Sequence, residues 1–227
     1  MKITFIGQAG LMFENENIRF MIDPYLSDSV GKVSPEKHRR VPVKEELFDE
    51  KLDLIILTHD HLDHTDPETL EVLLNKNKNL EILAPYNAWN KVRQYGNNHN
   101  YILFDKHTTW TSFGIKFTAV KACHSDLTAI GVIIDDGNKK FYVTGDTLYN
   151  SEIFDDLPDD IYAVFLPING VGNNMNITDA KNFAKKCNAK YIVPIHFGMF
   201  DNINPLEFNL ENTVIPQIYK IIEFNKE

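Results

Sequence analysis

Cysteine is scarce in this chain of 227 residues, which has two, Cys123 and Cys187, far apart and without a CxxC partner. A disulfide framework and a thiolate zinc site are therefore not indicated, and both side chains read as small core residues. Long hydrophobic runs are missing as well. The N-terminal segment MKITFIGQAG is interrupted by Thr4, Gly7 and Gln8 and is too short for a signal-peptide core or a membrane span. A cytoplasmic location away from membranes is the expectation. Positive charge is in deficit, because 23 Lys and Arg stand against 32 Asp and Glu for a formal charge of −9. Such a surface repels phosphate backbones, so no nucleic-acid partner is expected. No linker or low-complexity stretch divides the chain, and with 43% hydrophobic residues it has ample material for a core. Residues 1–227 are expected to form a single domain.

What is present is a series of short β-branched or apolar runs, at 2–6, 18–22, 54–57, 81–84, 115–120, 129–134, 140–144, 163–166 and 191–195. These read as strands. Asp66 can cap a helix entered through Pro67 that turns Leu70, Leu73 and Leu74 inward, and a second helix is expected from near Thr178 through Ala180, Phe183 and Ala184. Asp136-Gly137-Asn138 reads as a hairpin turn, and the stretch 31–43, rich in Lys, Arg and Pro, as a loop. Strands come first and a helix follows in each half of the chain. Two similar β-then-α halves result, and their sheets would pack face to face with helices outside, an α/β four-layer αβ/βα sandwich.

The decisive segment is Leu54-Ile55-Ile56-Leu57-Thr58-His59-Asp60-His61-Leu62-Asp63-His64, an apolar strand running into a cluster of ligand side chains. Alternate residues of extended chain share a face, so His59 and His61 can reach one metal, while a turn beyond them presents Asp63 and His64 to a second. Three other apolar runs lead toward a candidate ligand in the same way, at His124, Asp146 and His196. A lone histidine after a strand is ordinarily a hydrogen-bonded loop residue; together these three supply what the first cluster lacks. Asp60 reads equally as a brace for the loop or as a solvated acid.

In this order the residues resemble the metallo-β-lactamase superfamily, whose pattern is an HxHxDH loop followed by a distant His, an Asp and a final His. The resemblance implies the αβ/βα sandwich and a dinuclear centre, with His59, His61 and His124 on one metal, Asp63, His64 and His196 on the other, and Asp146 bridging. It also implies that Asp23, after an early strand, helps to brace the metal loop. A closer likeness is to the branch of L-ascorbate-6-phosphate lactonases and small metal-dependent hydrolases. It rests on Thr58 to His64, on Gly145-Asp146-Thr147, and on Pro167-Ile168-Asn169-Gly170 followed by Asn174-Met175 and Asp179-Ala180. Where that branch often reads Gly-His-Ala-Gly, this chain has Gly7-Gln8-Ala9-Gly10. Asn169 and Gly170 would line the pocket or shape a turn.

The expected activity is hydrolysis of a small anionic ester or lactone by a metal-bridged hydroxide, with Asp63 positioning the nucleophile and passing a proton to the leaving oxygen. Two divalent cations are implied, zinc by the histidines, manganese by the lactonase likeness, with iron also compatible. Phosphodiester cleavage on the same centre is the alternative enzyme. The short intervals between His59, His124, Asp146 and His196 leave little room for an inserted RNA-binding module. A di-iron redox enzyme would want a flavin domain, and a metal-dependent sensor is the non-enzymatic alternative. The partner is then a small molecule, with a homo-oligomer by analogy to the lactonases. His38, His99 and His107 read as solvated; Arg39 and Arg40 as solvated loop residues or anchors for an anion.

Overall fold

The computed structural model describes residues 1–224. One sheet contains β1 (Lys2–Gly7), β2 (Gly10–Glu14), β3 (Arg19–Ile22), β4 (Leu54–Ile56), β5 (Glu81–Ala84) and β6 (Asn100–Leu103) in sequence order. The other runs from β7 (Thr109–Ser112) through β8 (Ile115–Lys121), β9 (Ile130–Asp135), β10 (Lys140–Val143) and β11 (Ile161–Pro167) to β12 (Tyr191–Ile195). The short β13 (Lys220–Ile221) returns to pair antiparallel with β1. Each sheet is antiparallel at its start and parallel thereafter: β3, β4, β5 and β6 run together in the first, and β10, β11 and β12 in the second. Parallel strands place their C-terminal ends along one edge, which is where ligands gather in open α/β sheets.

Period-two alternation builds the layers. In the first sheet Phe5, Leu11, Phe13, Phe20, Ile22, Leu54 and Ile56 face the second sheet, while Ile6, Met12, Met21, Ile55 and Ile82 face outward into a separate cluster. Phe13 sits at the middle of the sandwich, with ring centroids 6.0 Å from Phe141 and 6.0 Å from Phe165 across the sheets. Phe20 meets Phe117 edge-on at 5.4 Å. Fully burying one such ring contributes roughly 1.5–3 kcal/mol, so these few contacts fix how the sheets face each other.

Helices cover the outer faces. On the first sheet, α2 (Pro67–Lys76) turns Leu70, Leu73 and Leu74 onto Ile55 and Ile82, joined by Ala88 and Val92 of α3 (Tyr86–Val92). Asp66 caps α2 as expected, accepting from the backbone N–H groups of Glu68 and Thr69. On the second sheet, α4 (Ile177–Cys187), capped by Asn176, packs Phe183 against Tyr142 at 6.4 Å. The expected hairpin at Gly137 joins β9 to β10. The stretch 31–43 is not wholly loop: a short helix α1 (Ser29–Val33) enters it, and Pro35–Lys37 forms a 3₁₀ turn. Among the described residues, no helix is long and apolar enough to cross a membrane.

Candidate metal centre

Every candidate ligand lies just past the C-terminal end of a strand. The loop after β4 carries His59, His61, Asp63 and His64 from the first sheet; β8, β10 and β12 lead to His124, Asp146 and His196 from the second. β8 ends at Lys121, so Cys123 and His124 lie in the loop that follows it. Cys123 there is half-buried and its N–H donates to Thr147 Oγ1 at 2.9 Å. Backbone hydrogen bonds join the sheets at this edge, from Ile130 N–H to the Thr58 carbonyl at 3.0 Å and from His196 N–H to the Gln8 carbonyl at 2.7 Å.

The seven residues converge. His59, His61 and His124 form one cluster, their rings 4.6 to 4.7 Å apart, and Asp63, His64 and His196 form another. Asp146 reaches both, with Oδ2 3.2 Å from His196 Nε2 and 4.0 Å from His59 Nε2, and Oδ1 3.4 Å from His64 Nε2. His61 Nδ1 and His124 Nε2 are 3.0 Å apart, and His196 Nε2 lies 3.3 Å from Asp63 Oδ2. A tetrahedral ion with bonds near 2.0–2.1 Å sets its ligand atoms roughly 3.3 Å apart, so these spacings suit metal coordination.

The hydrogen-bond inventory points the same way. His59 Nε2, His64 Nε2 and Asp146 Oδ1 are buried, face the centre and have no hydrogen-bond partner. Buried polar atoms left unpaired are costly, and three converging on one point fit a site completed by cations. The opposite nitrogens are engaged: His64 Nδ1 donates to Asp23 Oδ2 at 2.8 Å, and Thr58 Oγ1 lies 3.1 Å from His59 Nδ1. Asp23 also accepts from the Thr58 N–H at 2.8 Å and the Thr58 hydroxyl at 2.5 Å. Such outer contacts fix which ring nitrogen faces the metal. Asn174 Nδ2 orients Asp146 Oδ2 at 2.7 Å.

Electrostatics divides the histidines. Burial, with His64 beside it, pushes His59 well below its ordinary value, and burial also lowers His124. Burial opposes a proton on His64 and His196 as well. There the facing carboxylates of Asp146 and Asp63 prevail, holding His64 well above its ordinary value and His196 at about 9. Reciprocally, the two imidazoles overcome burial to keep Asp63 and Asp146 ionised far below the usual carboxylate range. Left-handed backbone occurs here too, with φ of 54° at Gln8, 45° at Asp23 and 59° at His196.

A profile of the β-lactamase superfamily domain matches residues 18–197. The chain is 30% identical over 243 residues to a UPF0173 metal-dependent hydrolase of Thermoplasma acidophilum, covering 98% of each. It belongs to the metallo-β-lactamase superfamily and, within it, to the UPF0173 metal-dependent hydrolases. The fold agrees: a metallo hydrolase from the archaeon Ignicoccus hospitalis superposes with a TM-score of 0.80 at 21% identity over 100% of this chain and 99% of that one. An isothiocyanate hydrolase from Delia radicum gut bacteria superposes at 0.74 with 22% identity, covering 99% of each chain. Each shares the two-sheet fold of this chain.

Within this superfamily member the remaining sequence candidates separate. Asp23 sits under the metal loop, braced as described. Asp60 points away from the centre and pairs with Lys91 at 2.8 Å, while its N–H donates to Asp126 Oδ2 at 3.0 Å. Asn169 lines the cleft above the cluster; Gly170 instead shapes the turn beside it, where a Cβ would meet Asn176 Cβ at 2.9 Å with φ of 66°. His38 and His107 are exposed, and His99 lies half-buried outside the centre. Arg39 is neither solvated nor a substrate anchor. Its guanidinium is a staple, donating to the carbonyls of Tyr25 and Val41 and the Tyr219 hydroxyl, each at 2.7 Å.

Three contributors escaped the sequence reading: Gln8 as a donor to Asp63, Asn174 as a donor to Asp146, and Asp126, which gathers Asp60, Asn87 and Thr128. Asn174 stood within a matched motif, which was its only signal. Nothing in the spacing marks Asp126.

Proposed function

We propose that this metal-dependent hydrolase cleaves a small anionic ester or lactone, related to the sugar-acid lactones of the ascorbate-phosphate branch, at two divalent cations. His59, His61 and His124 would hold one, Asp63, His64 and His196 the other, and Asp146 would lie between. The observation that carries this reading is the convergence of unpaired, inward-facing His59 Nε2, His64 Nε2 and Asp146 Oδ1. Mixed imidazole and carboxylate donors favour zinc or manganese, with iron compatible. When bound, such cations supply hydroxide at neutral pH and polarise a carbonyl oxygen.

The chain's own residues do the rest. Gln8 Nε2 holds Asp63 by one carboxylate oxygen, and Asp63 is the more exposed of the two central carboxylates, facing the cleft. Kept ionised, it can accept a proton from the nucleophile and return it to the leaving oxygen as the ester C–O bond breaks. Asp23 and Thr58 keep the His64 and His59 rings aimed, and Asn174 fixes Asp146. The cleft, about 390 Å³, is sized for a small molecule and is lined partly by Val30, Val171 and Phe200.

The formal charge of −9 argues for a metabolite rather than nucleic acid as partner, and two unpaired cysteines suit a reducing cytoplasm. A homo-oligomer remains part of the proposal by analogy alone. The test is metal content per chain after purification without chelator, for the parent and His61→Ala, followed by an ester and lactone panel with a phosphodiester control. Two metals in the parent, a large loss in the variant and turnover of esters or lactones are expected. No bound metal after reconstitution, or turnover of the phosphodiester alone, would overturn the reading.

A further inference from the structure

The cleft over the metal centre is lined by acids, histidines, Asn169, Asn174 and apolar side chains, with Lys37 its one Lys or Arg among the described residues. Lys37 is exposed, and among the described residues its side chain forms no ion pair. Two other lysines are neutralised: Lys32, on the same segment, is paired with Glu68 at 2.6 Å, and Lys91, over the metal loop's Asp60, is paired with that carboxylate at 2.8 Å. The lining's one acid beyond the ligands, among the described residues, is Asp201. Its Oδ1 accepts from the N–H groups of Gly198 and Ile203 at 2.9 and 3.0 Å and caps that turn.

The segment that presents Lys37 is fixed rather than loose. Arg39 staples it to Tyr25 and Tyr219, its own N–H donates to Asp28 Oδ1 at 2.6 Å, and the Arg40 N–H donates to the Met199 carbonyl at 3.1 Å. Phe200, on the facing loop, is held edge-on against Tyr25 at 5.6 Å. A lysine on a fixed segment therefore lines the same cleft as the apolar side chains of Val30, Val171 and Phe200 and the carboxylate of Asp63.

Resting on the ester or lactone reading above, we propose that Lys37 determines specificity by pairing with a carboxylate on the substrate, at the far end of an apolar spacer lying on Val30, Val171 and Phe200. Its ammonium is a single point charge. A phosphate dianion is matched best by a second cation or the planar fork of an arginine, and among the described residues the lining adds only neutral asparagines to Lys37. A carboxylate is satisfied by one lysine and water. The substrate class is accordingly a monoester or lactone of an acid with a second, free carboxylate a few carbons from the scissile bond.

The test compares 4-nitrophenyl hydrogen glutarate with 4-nitrophenyl pentanoate, which differ in the distal carboxylate, on the metal-loaded parent, Lys37→Ala and Lys37→Glu, with metal content shown equal. The parent should favour the anionic ester. Lys37→Ala should lose about 10-fold in kcat/KM toward it, through KM, the scale of one charge-assisted hydrogen bond, and lose nothing toward the pentanoate. Lys37→Glu should invert the preference. An unchanged ratio in both variants overturns the proposal while leaving the hydrolase reading intact. If neither ester turns over, the ester reading fails and calorimetry decides this one. Glutarate binding the parent more tightly than pentanoate, with the difference erased in Lys37→Ala, supports it; equal affinities overturn it. Tighter binding of 4-phosphonobutanoate than glutarate would overturn the choice of carboxylate.

Discussion

Gln8 and Asp63, from the turn after the first strand and from the metal loop, are joined by a 2.7 Å hydrogen bond from the Gln8 amide to Asp63 Oδ2. The same amide nitrogen lies within 3.2 Å of both ring nitrogens of His196. A neutral donor thus steadies one carboxylate and one imidazole of the second cluster without competing for a cation.

Gln8→Ala should therefore lower activity or metal affinity on the order of 10–100-fold, the range for losing such an orienting contact. Gln8→Glu should be worse, since a second carboxylate would face Asp63. Metal titration of both variants, beside circular dichroism to show an intact fold, checks this.

Asp23→Asn should loosen the loop more broadly. The carboxylate accepts from Thr58 twice and from His64 Nδ1 once, and an amide can no longer accept at both oxygens. Leaving one of these buried donors unpaired costs about 1–3 kcal/mol, so a lower melting temperature should accompany weaker metal binding. A variant with normal metal affinity would remove Asp23 from its bracing role.

Metal removal exposes a pH dependence. In the metal-free protein His196 holds its proton up to about 9, above its ordinary 6.5, and His64 is raised likewise. The stability these two contribute is full below about pH 6.5 and is lost as pH rises through about 9. Metal uptake must displace those protons, so the apparent affinity should climb with pH and level off above about 9. Calorimetry at pH 7 in buffers of different ionisation enthalpy should report protons released per metal bound; none released would contradict the assignment of His64 and His196 as ligands.

Gly145→Ala should unfold or inactivate the protein despite adding a single methyl group. The residue has φ of 61°, and a Cβ there would meet the Ile130 carbonyl oxygen at 2.6 Å and Thr58 Cβ at 3.0 Å. Strain of that kind costs about 1–3 kcal/mol, and relief would move Asp146, the next residue. Thermal unfolding and metal content, measured together, separate the two effects.

Much of this was legible in the sequence because the buried strands carry unbroken apolar runs and the ligands follow them in order. Leu54–Ile56, Glu81–Ala84 and Tyr191–Ile195 fall within or on their expected bounds. Asn100–Leu103 and Thr109–Ser112 did not announce themselves, since they are four-residue edge strands with no buried position to set an inward face. Gly10–Glu14 was hidden by its glycine and acidic end, and Tyr86–Val92 by the absence of a side-chain cap. Seven candidate ligands could be named from the apolar runs that lead into them and from the superfamily resemblance; Gln8 could not be given its role, because its contacts with Asp63 and His196 join segments far apart in the chain.

The cluster straddles the sandwich, with four of its seven members rooted in one sheet and three in the other. A cation held by His59 and His61 together with His124 would act as a rivet through both layers. Shear between the sheets, which would otherwise cost side-chain packing alone, would then also stretch bonds to metal. Loss of the ions should consequently be felt as a loosening of the whole sandwich along that edge, so that the mechanical coherence of the protein and its chemistry fail together.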